Sequence, residues 1–329
     1  MITRRSFLSH TAGFTAAASL GSTLPFVAQA ANPALALYGP PVGPSVVLSY
    51  IANKGLLSDF TEKVDFSVYK SPDVLRAGFV SGDWKLAGTP SYVAANLANK
   101  GLPVKMLNIM TWGMLYVLSY DGSVKSPADL AGEKIGMFFR NDMPDLVFGR
   151  VMQQNGLTEG KDYSLHYVST PFEALQLLLS GRIKHCVLPE PAATAGMVKG
   201  KKMGKLIHRS IDLASEWTSV TGGEGRFPMA GMMVHEDLLN AQPELIEGFH
   251  KACVTGTEWV KANPKEAAAV ASESITLPAP VIAKSIPHTH LTAERAKDIQ
   301  SELEQFYSIL AEKNPSIIGG KLPNADFYL

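Results

Sequence analysis

Residues 67–90, SVYKSPDVLRAGFVSGDWKLAGTP, and residues 166–189, HYVSTPFEALQLLLSGRIKHCVLP, share their punctuation without a gap at an offset of 99. Pro72 falls on Pro171, Ser81-Gly82 on Ser180-Gly181, Lys85 on Lys184 and Pro90 on Pro189. Between proline and Ser-Gly, the first copy carries Val74, Leu75, Phe79 and Val80 and the second Ala174, Leu175, Leu178 and Leu179, apolar at helical spacing. Upstream, Gly55-Leu56 and Gly156-Leu157 close helical stretches, and extended segments Phe66 to Lys70 and Leu165 to Ser169 follow. Each copy therefore reads helix, strand, helix, strand. Two such copies imply two α/β lobes with mainly parallel sheets and right-handed crossovers. A small ligand is expected between them, beyond the carboxyl ends of the strands.

The rest of the chain agrees with a folded two-lobed protein. Of 329 residues, 46% are hydrophobic and 18% charged, which excludes a disordered chain, and the length exceeds what one core usually serves. Thirty basic residues balance thirty acidic ones, and the longest basic run, Lys199 to Lys205, is broken by Gly200, Met203 and Gly204. No nucleic-acid partner is expected, because a phosphate backbone needs gathered positive charge.

Residues 1–30 read as a twin-arginine export signal. Arg4-Arg5 precede Ser6-Phe7-Leu8, small uncharged residues follow, and Ala28-Gln29-Ala30 offers a cleavage site after Ala30. Pro33, Pro40, Pro41 and Pro44 rule out a second membrane span in the uncharged stretch that continues to Asn53. The mature protein is expected to be periplasmic, with two more acidic than basic residues. Cys186 and Cys253, the two cysteines, form no redox motif and read as buried free thiols.

Several segments in order resemble one family. Gly39-Pro40-Pro41-Val42-Gly43-Pro44 looks like its first strand-to-helix loop, and Lys125-Ser126-Pro127-Ala128-Asp129-Leu130-Ala131-Gly132-Glu133-Lys134-Ile135-Gly136 like its most specific stretch. Ser180-Gly181 through Pro189-Glu190-Pro191 resembles its Glu-Pro strand ending, and Ala241-Gln242-Pro243-Glu244-Leu245 with Trp259 to Lys265 its C-terminal helices. From about Leu35 to Asn314 the chain thus resembles the nitrate/sulfonate/taurine (NitT/TauT) group of periplasmic solute-binding proteins of ABC importers. Lys85 and Lys184 depart from it, standing where the family usually has Asp. The resemblance implies a type II periplasmic-binding-protein fold, two α/β lobes joined by two hinge crossings. Mapped here, lobe one is 34–115 plus 229–329 and lobe two is 116–228. It further implies a monomer that captures a small solute and delivers it to an ABC permease; no cofactor is expected, and the candidate residues below favour an anionic or planar organic solute. The alternatives are an enzyme like the thiamine-pyrimidine synthases of the same fold, whose cysteine-rich iron motif is missing, or a metal carrier.

Helix starts facing the cleft attract anions through free amides and the helix dipole. Pro44-Ser45, Thr89-Pro90-Ser91 and Asn141-Asp142-Met143-Pro144 each open a predicted helix, so Pro44, Ser45, Thr89, Ser91 and Asn141 are candidate contacts or ordinary caps. Arg140, after the apolar run Ile135 to Phe139, could hold a carboxylate or sulfonate bidentately, or pair with Asp142 or Asp145. Glu190 could accept from an amine or amidine, or brace the lobes. Trp112 could stack on a planar ligand, with Tyr92, Tyr116, Phe138 and Phe139 on the same side of the strands; core packing is the other reading. His288 and His290 find no nearby set of further ligands, so no metal site is expected, and Thr292 is read as the cap of a helix from Ala293 to Lys313. Met229, Met232 and Met233 read as core of an apolar return strand.

Overall fold

A computed structural model describes residues 34–329; the stretch read as an export signal, with its expected cleavage site, lies outside the described residues. Eleven strands are present in this span: β1 Leu35–Gly39, β2 Val64–Val68, β3 Leu86–Pro90, β4 Val104–Thr111, β5 Leu115–Ser119, β6 Lys134–Phe138, β7 Ser164–Val168, β8 His185–Pro189, β9 His208–Asp212, β10 Ala230–His235 and β11 Leu291–Arg295. They form two sheets, ordered β11-β4-β10-β3-β1-β2 and β7-β6-β8-β5-β9. Six helices bear on the site: α1 Pro44–Asn53, α2 Pro72–Val80, α3 Ser91–Asn99, α4 Met143–Gln154, α5 Pro171–Ser180 and α6 Ala192–Lys202.

The repeat is visible as two βαβ units. In the first, α2 joins β2 to β3; in the second, α5 joins β7 to β8. Ser71 and Thr170 cap the two helices, their side chains accepting from Val74 N and Glu173 N. Gly82 and Gly181 leave them at φ of +79° and +77°, a left-handed conformation that glycine reaches without steric cost. Within each sheet the repeat strands are parallel: β1 pairs with β2 and β3, and β6 with β7 and β8. The chain leaves the first sheet through Trp112, Gly113 and Met114 into β5, and returns after β9 through residues 213–229 into β10. Both return strands run antiparallel to their neighbours, β5 to β8 and β9, β10 to β3 and β4.

Three apolar clusters hold this arrangement. One lies under α1 and the helix Pro243–Ala262, where Tyr50 and Trp259 stack with centroids 4.0 Å apart. Another fills the space between the second sheet and the helices α5 and α6. The largest runs past the crossings, where Trp217, Phe227 and Phe306 are fully buried against one another. Met232 and Met233 are buried in β10, and Met229 just before it is 7% exposed, so these methionines pack a core strand.

One sequence expectation is corrected. Leu291–Arg295 is an edge strand paired antiparallel with β4, and the helix expected from Ala293 starts at Gln300. Ala, Glu and Arg favour a helix in isolation, but β4 offers an unpaired edge and pairing along it outweighs local preference. Thr292 accordingly caps no helix; its hydroxyl donates to Glu294.

Cys186 and Cys253 are free and buried, and burial pushes the Cys253 thiol up to about 12. Both stay protonated near neutrality, which suits packing and not nucleophilic attack. Three buried histidines, His185, His235 and His250, are held below the ordinary imidazole value, in each case chiefly by burial. Well above the ordinary imidazole value, at about pH 7.5, both folded and unfolded chains carry them neutral, so their contribution to stability is nearly complete. As pH falls, the unfolded chain takes up protons first and stability drops through the folded-state values. The unfolding temperature is therefore expected to fall between pH 7.5 and pH 5, and His250→Gln to shrink the fall; equal melting at both values would contradict this.

Candidate functional site

The carboxyl ends of the parallel strands converge on one cavity of about 190 Å³. From the first sheet, β1 delivers Pro40, Pro41 and Val42, β2 delivers Tyr69 to Pro72, and β3 delivers Pro90 and Tyr92. From the second, β6 delivers Phe138 and Phe139, β7 delivers Thr170, Pro171 and Phe172, and β8 delivers Pro189 to Ala192. Met143 and Pro144 of α4, the crossing residues Met114 and Met229, and Ala230 at the start of β10 complete the wall. Ser71-Pro72 and Thr170-Pro171, equivalent in the repeat, thus both line the cavity, one pair from each sheet.

The wall is apolar with few polar groups, as small-ligand sites commonly are, and the most buried of them are already engaged. The Tyr69 hydroxyl donates to Gly88 O at 2.8 Å. Burial first and the nearby Asp142 carboxylate second push the Tyr92 hydroxyl well above the usual phenol range, keeping it protonated. Glu190 is fully buried; its carboxylate accepts from Thr194 N at 3.1 Å and from the Arg209 guanidinium. Burial pushes that carboxyl up, against Arg209 and Thr194, which pull it down. Behind it, Arg209 lies 4.9 Å above the Tyr116 ring, and the Tyr116 hydroxyl donates to His288 O at 2.8 Å and meets His290 at 3.0 Å. His290 stands 3.6 Å from Asp212. Among the described residues no three His, Cys, Asp or Glu side chains are grouped as a metal site, and His288 and His290 join this network between the sheets.

Of the residues singled out in the sequence, Tyr92 and Glu190 line the cavity, as do Phe138 and Phe139. Eight others lie outside its lining for definite reasons, Tyr116 among them in the network behind Glu190. Pro44 and Ser45 are buried behind the first loop, where the Ser45 hydroxyl donates to Pro40 O. Thr89 bonds to Pro90 O, and Ser91 to Pro228 O, pinning the second crossing to α3. Trp112 braces the first crossing: its indole donates to Glu294 and Arg226 lies 4.1 Å above its ring. Arg140 is exposed, 5.0 Å above the Tyr167 ring. Asn141 adopts φ +59°, gives its amide to Asp145 and receives Asn314 at its carbonyl. The prolines and methionines of the wall were missed, although the repeat register pointed to Pro72 and Pro171.

A ligand-sized cavity at strand ends, between two sheets linked by two chain crossings, defines the class of type II periplasmic-binding-protein folds. Residues 81–267 match the family model described as NMT1/THI5 like, and the chain belongs to that family. No curated protein matches the sequence. Among solved structures, an ABC transporter protein of Parabacteroides distasonis superposes with a TM-score of 0.75 at 21% identity, over 89% of this chain and 98% of that one. The periplasmic aliphatic sulphonate binding protein SsuA of Escherichia coli gives 0.70 at 18%, over 90% and 97%. The periplasmic nitrate-binding protein NrtA of Synechocystis PCC 6803 gives 0.68 at 13%, over 89% and 86%. At these identities the likeness establishes the fold.

Proposed function

We propose that this chain is the exported solute-capturing component of an ABC importer, closing over a small molecule and presenting it to a membrane permease. The observation that carries this reading is the cavity itself, walled by strand ends of both sheets and flanked by the two crossings. Ligand contacts to both walls favour a closed arrangement in proportion to their differential affinity for it. In this reading the lobes are residues 34–115 with 229–329 and residues 116–228, the mature protein acts as a periplasmic monomer, and Tyr92 and Glu190 are contacts. Its chemistry is recognition without bond breaking. The protonated, buried thiols and the committed Glu190 carboxylate supply no nucleophile or free base to the cavity.

Native mass spectrometry of the exported protein, followed by denaturing release, tests the proposal. One small molecule per chain, recovered chemically unchanged, is the expected result; conversion of an added molecule by the protein would replace capture with catalysis. Export itself is expected to require the arginine pair: Arg4→Lys with Arg5→Lys should abolish periplasmic yield, measured by fractionation, and an unchanged yield would refute the twin-arginine route.

A further inference from the structure

Three of the helices whose starts approach the cavity carry a proline in the first turn, where an anion site would present amides, and a fourth and fifth are preceded by one. Pro72, Pro144 and Pro171 occupy the first turns of α2, α4 and α5, while Pro90 and Pro191 cap α3 and α6. All five line the wall, and proline has no N–H to give. Neighbouring amides are spent on the chain's own acceptors. Val74 and Glu173 donate to the Ser71 and Thr170 hydroxyls, Met143 to Asp142, Asn141 to Asp145 and Thr194 to Glu190. The starts of α4 and α6 are thus already occupied by protein carboxylates, those of α2 and α5 by a hydroxyl oxygen, and the first amide of α3 by the Met229 carbonyl.

The cations do not restore the balance. Arg209 is committed to Glu190, Arg140 lies exposed over Tyr167, and Lys70 at the rim is exposed. An anion entering here would meet the Glu190 carboxylate in the wall, with a single rim lysine, Lys70, to offset it. Against that, Phe138, Phe139, Phe172 and Tyr92 offer aromatic surface, which favours a planar apolar body. Ser71 and Thr170 accept through their oxygens and keep their hydroxyl protons, one from each sheet, for a neutral acceptor on the ligand.

We propose that the solute is a small uncharged aromatic molecule, its ring held by the phenylalanines and prolines and a neutral oxygen held by the Ser71 and Thr170 hydroxyls. This rests on the solute-capture reading and narrows it from anionic or planar to planar and neutral. Calorimetric titration of the exported chain and its Phe172→Ala variant with benzamide, benzoate, ethanesulfonate and nitrate tests it. Phe172 is 39% exposed, so its removal should not disturb folding. Benzamide is expected to bind at least about tenfold tighter than benzoate, the scale of one unpaired charge-assisted contact, and to weaken about fivefold in Phe172→Ala. Ethanesulfonate and nitrate are expected to give no binding heat. Binding of benzoate, ethanesulfonate or nitrate as tight as benzamide would overturn the neutral class while leaving capture standing. Heat from none of the four would also overturn it, and the native mass of the exported protein then decides separately whether anything is captured.

Discussion

Glu190→Ala is expected to destabilise the protein by about 3–5 kcal/mol, the cost of breaking a buried ion pair by removing one partner. The Glu190 side chain is fully buried and that of Arg209 is 16% exposed, so the variant would leave a guanidinium with little access to water. The Thr194 amide would lose its acceptor as well, and Arg209 would keep one bond, to the Thr194 hydroxyl at 3.0 Å. Urea unfolding measures the effect. Because replacing both members of such a pair by apolar groups is often neutral, Glu190→Leu combined with Arg209→Met should recover most of the loss. A single variant within about 1 kcal/mol of the parent would show that water reaches this pair.

Gly231→Ala is expected to cost more than about 4 kcal/mol or to yield no folded protein, placing it among the exceptional substitutions with a definite steric cause. Gly231 lies in β10 between β3 and β4, opposite Thr89 and Ile109, at a register shift in the ladder. A Cβ there would stand 1.8 Å from the Asn108 carbonyl oxygen and 2.8 Å from Ile109 Cα, so backbone, not a flexible side chain, would have to move. Gly88, on the adjacent strand, is the control. Its added Cβ would meet Leu48 Cδ1 at 3.4 Å, an ordinary contact, and Gly88→Ala should change stability by less than about 1 kcal/mol. Comparable losses in the two variants would mean that the close approach is not what makes Gly231 necessary.

Much of the fold was legible because its punctuation is local. A proline opening each repeat helix and a Ser-Gly pair closing it report backbone conformations that few other residues allow, and they mark α2 and α5 in the structure. Leu291–Arg295 was illegible because its conformation comes from a partner, β4, about 180 positions earlier. The site was only partly legible. Hydroxyls at helix starts serve caps and ligands alike, and Ser45, Thr89 and Ser91 turn out to bond backbone carbonyls, a choice that depends on what lies beside them in space. Of the aromatic candidates, Phe138 and Phe139 at the end of β6 and Tyr92 at the start of α3 line the cavity, where direction along the chain fixes direction into the cleft, while Trp112 and Tyr116 pack beside the crossings instead.

Eight of the cavity-lining residues are prolines: Pro40, Pro41, Pro72, Pro90, Pro144, Pro171, Pro189 and Pro191. Their rings have almost no rotamers to lose and their backbone φ is fixed before any ligand arrives. Ordering a wall of lysine or glutamine side chains would forfeit up to about 2 kcal/mol of conformational freedom for each one. This wall surrenders little, so as the lobes close each half meets the molecule with its own surface already set, and selectivity follows from shape more than from side-chain adaptation. The same stiffness narrows the range of molecules that fit, making the pocket a gauge of size and flatness.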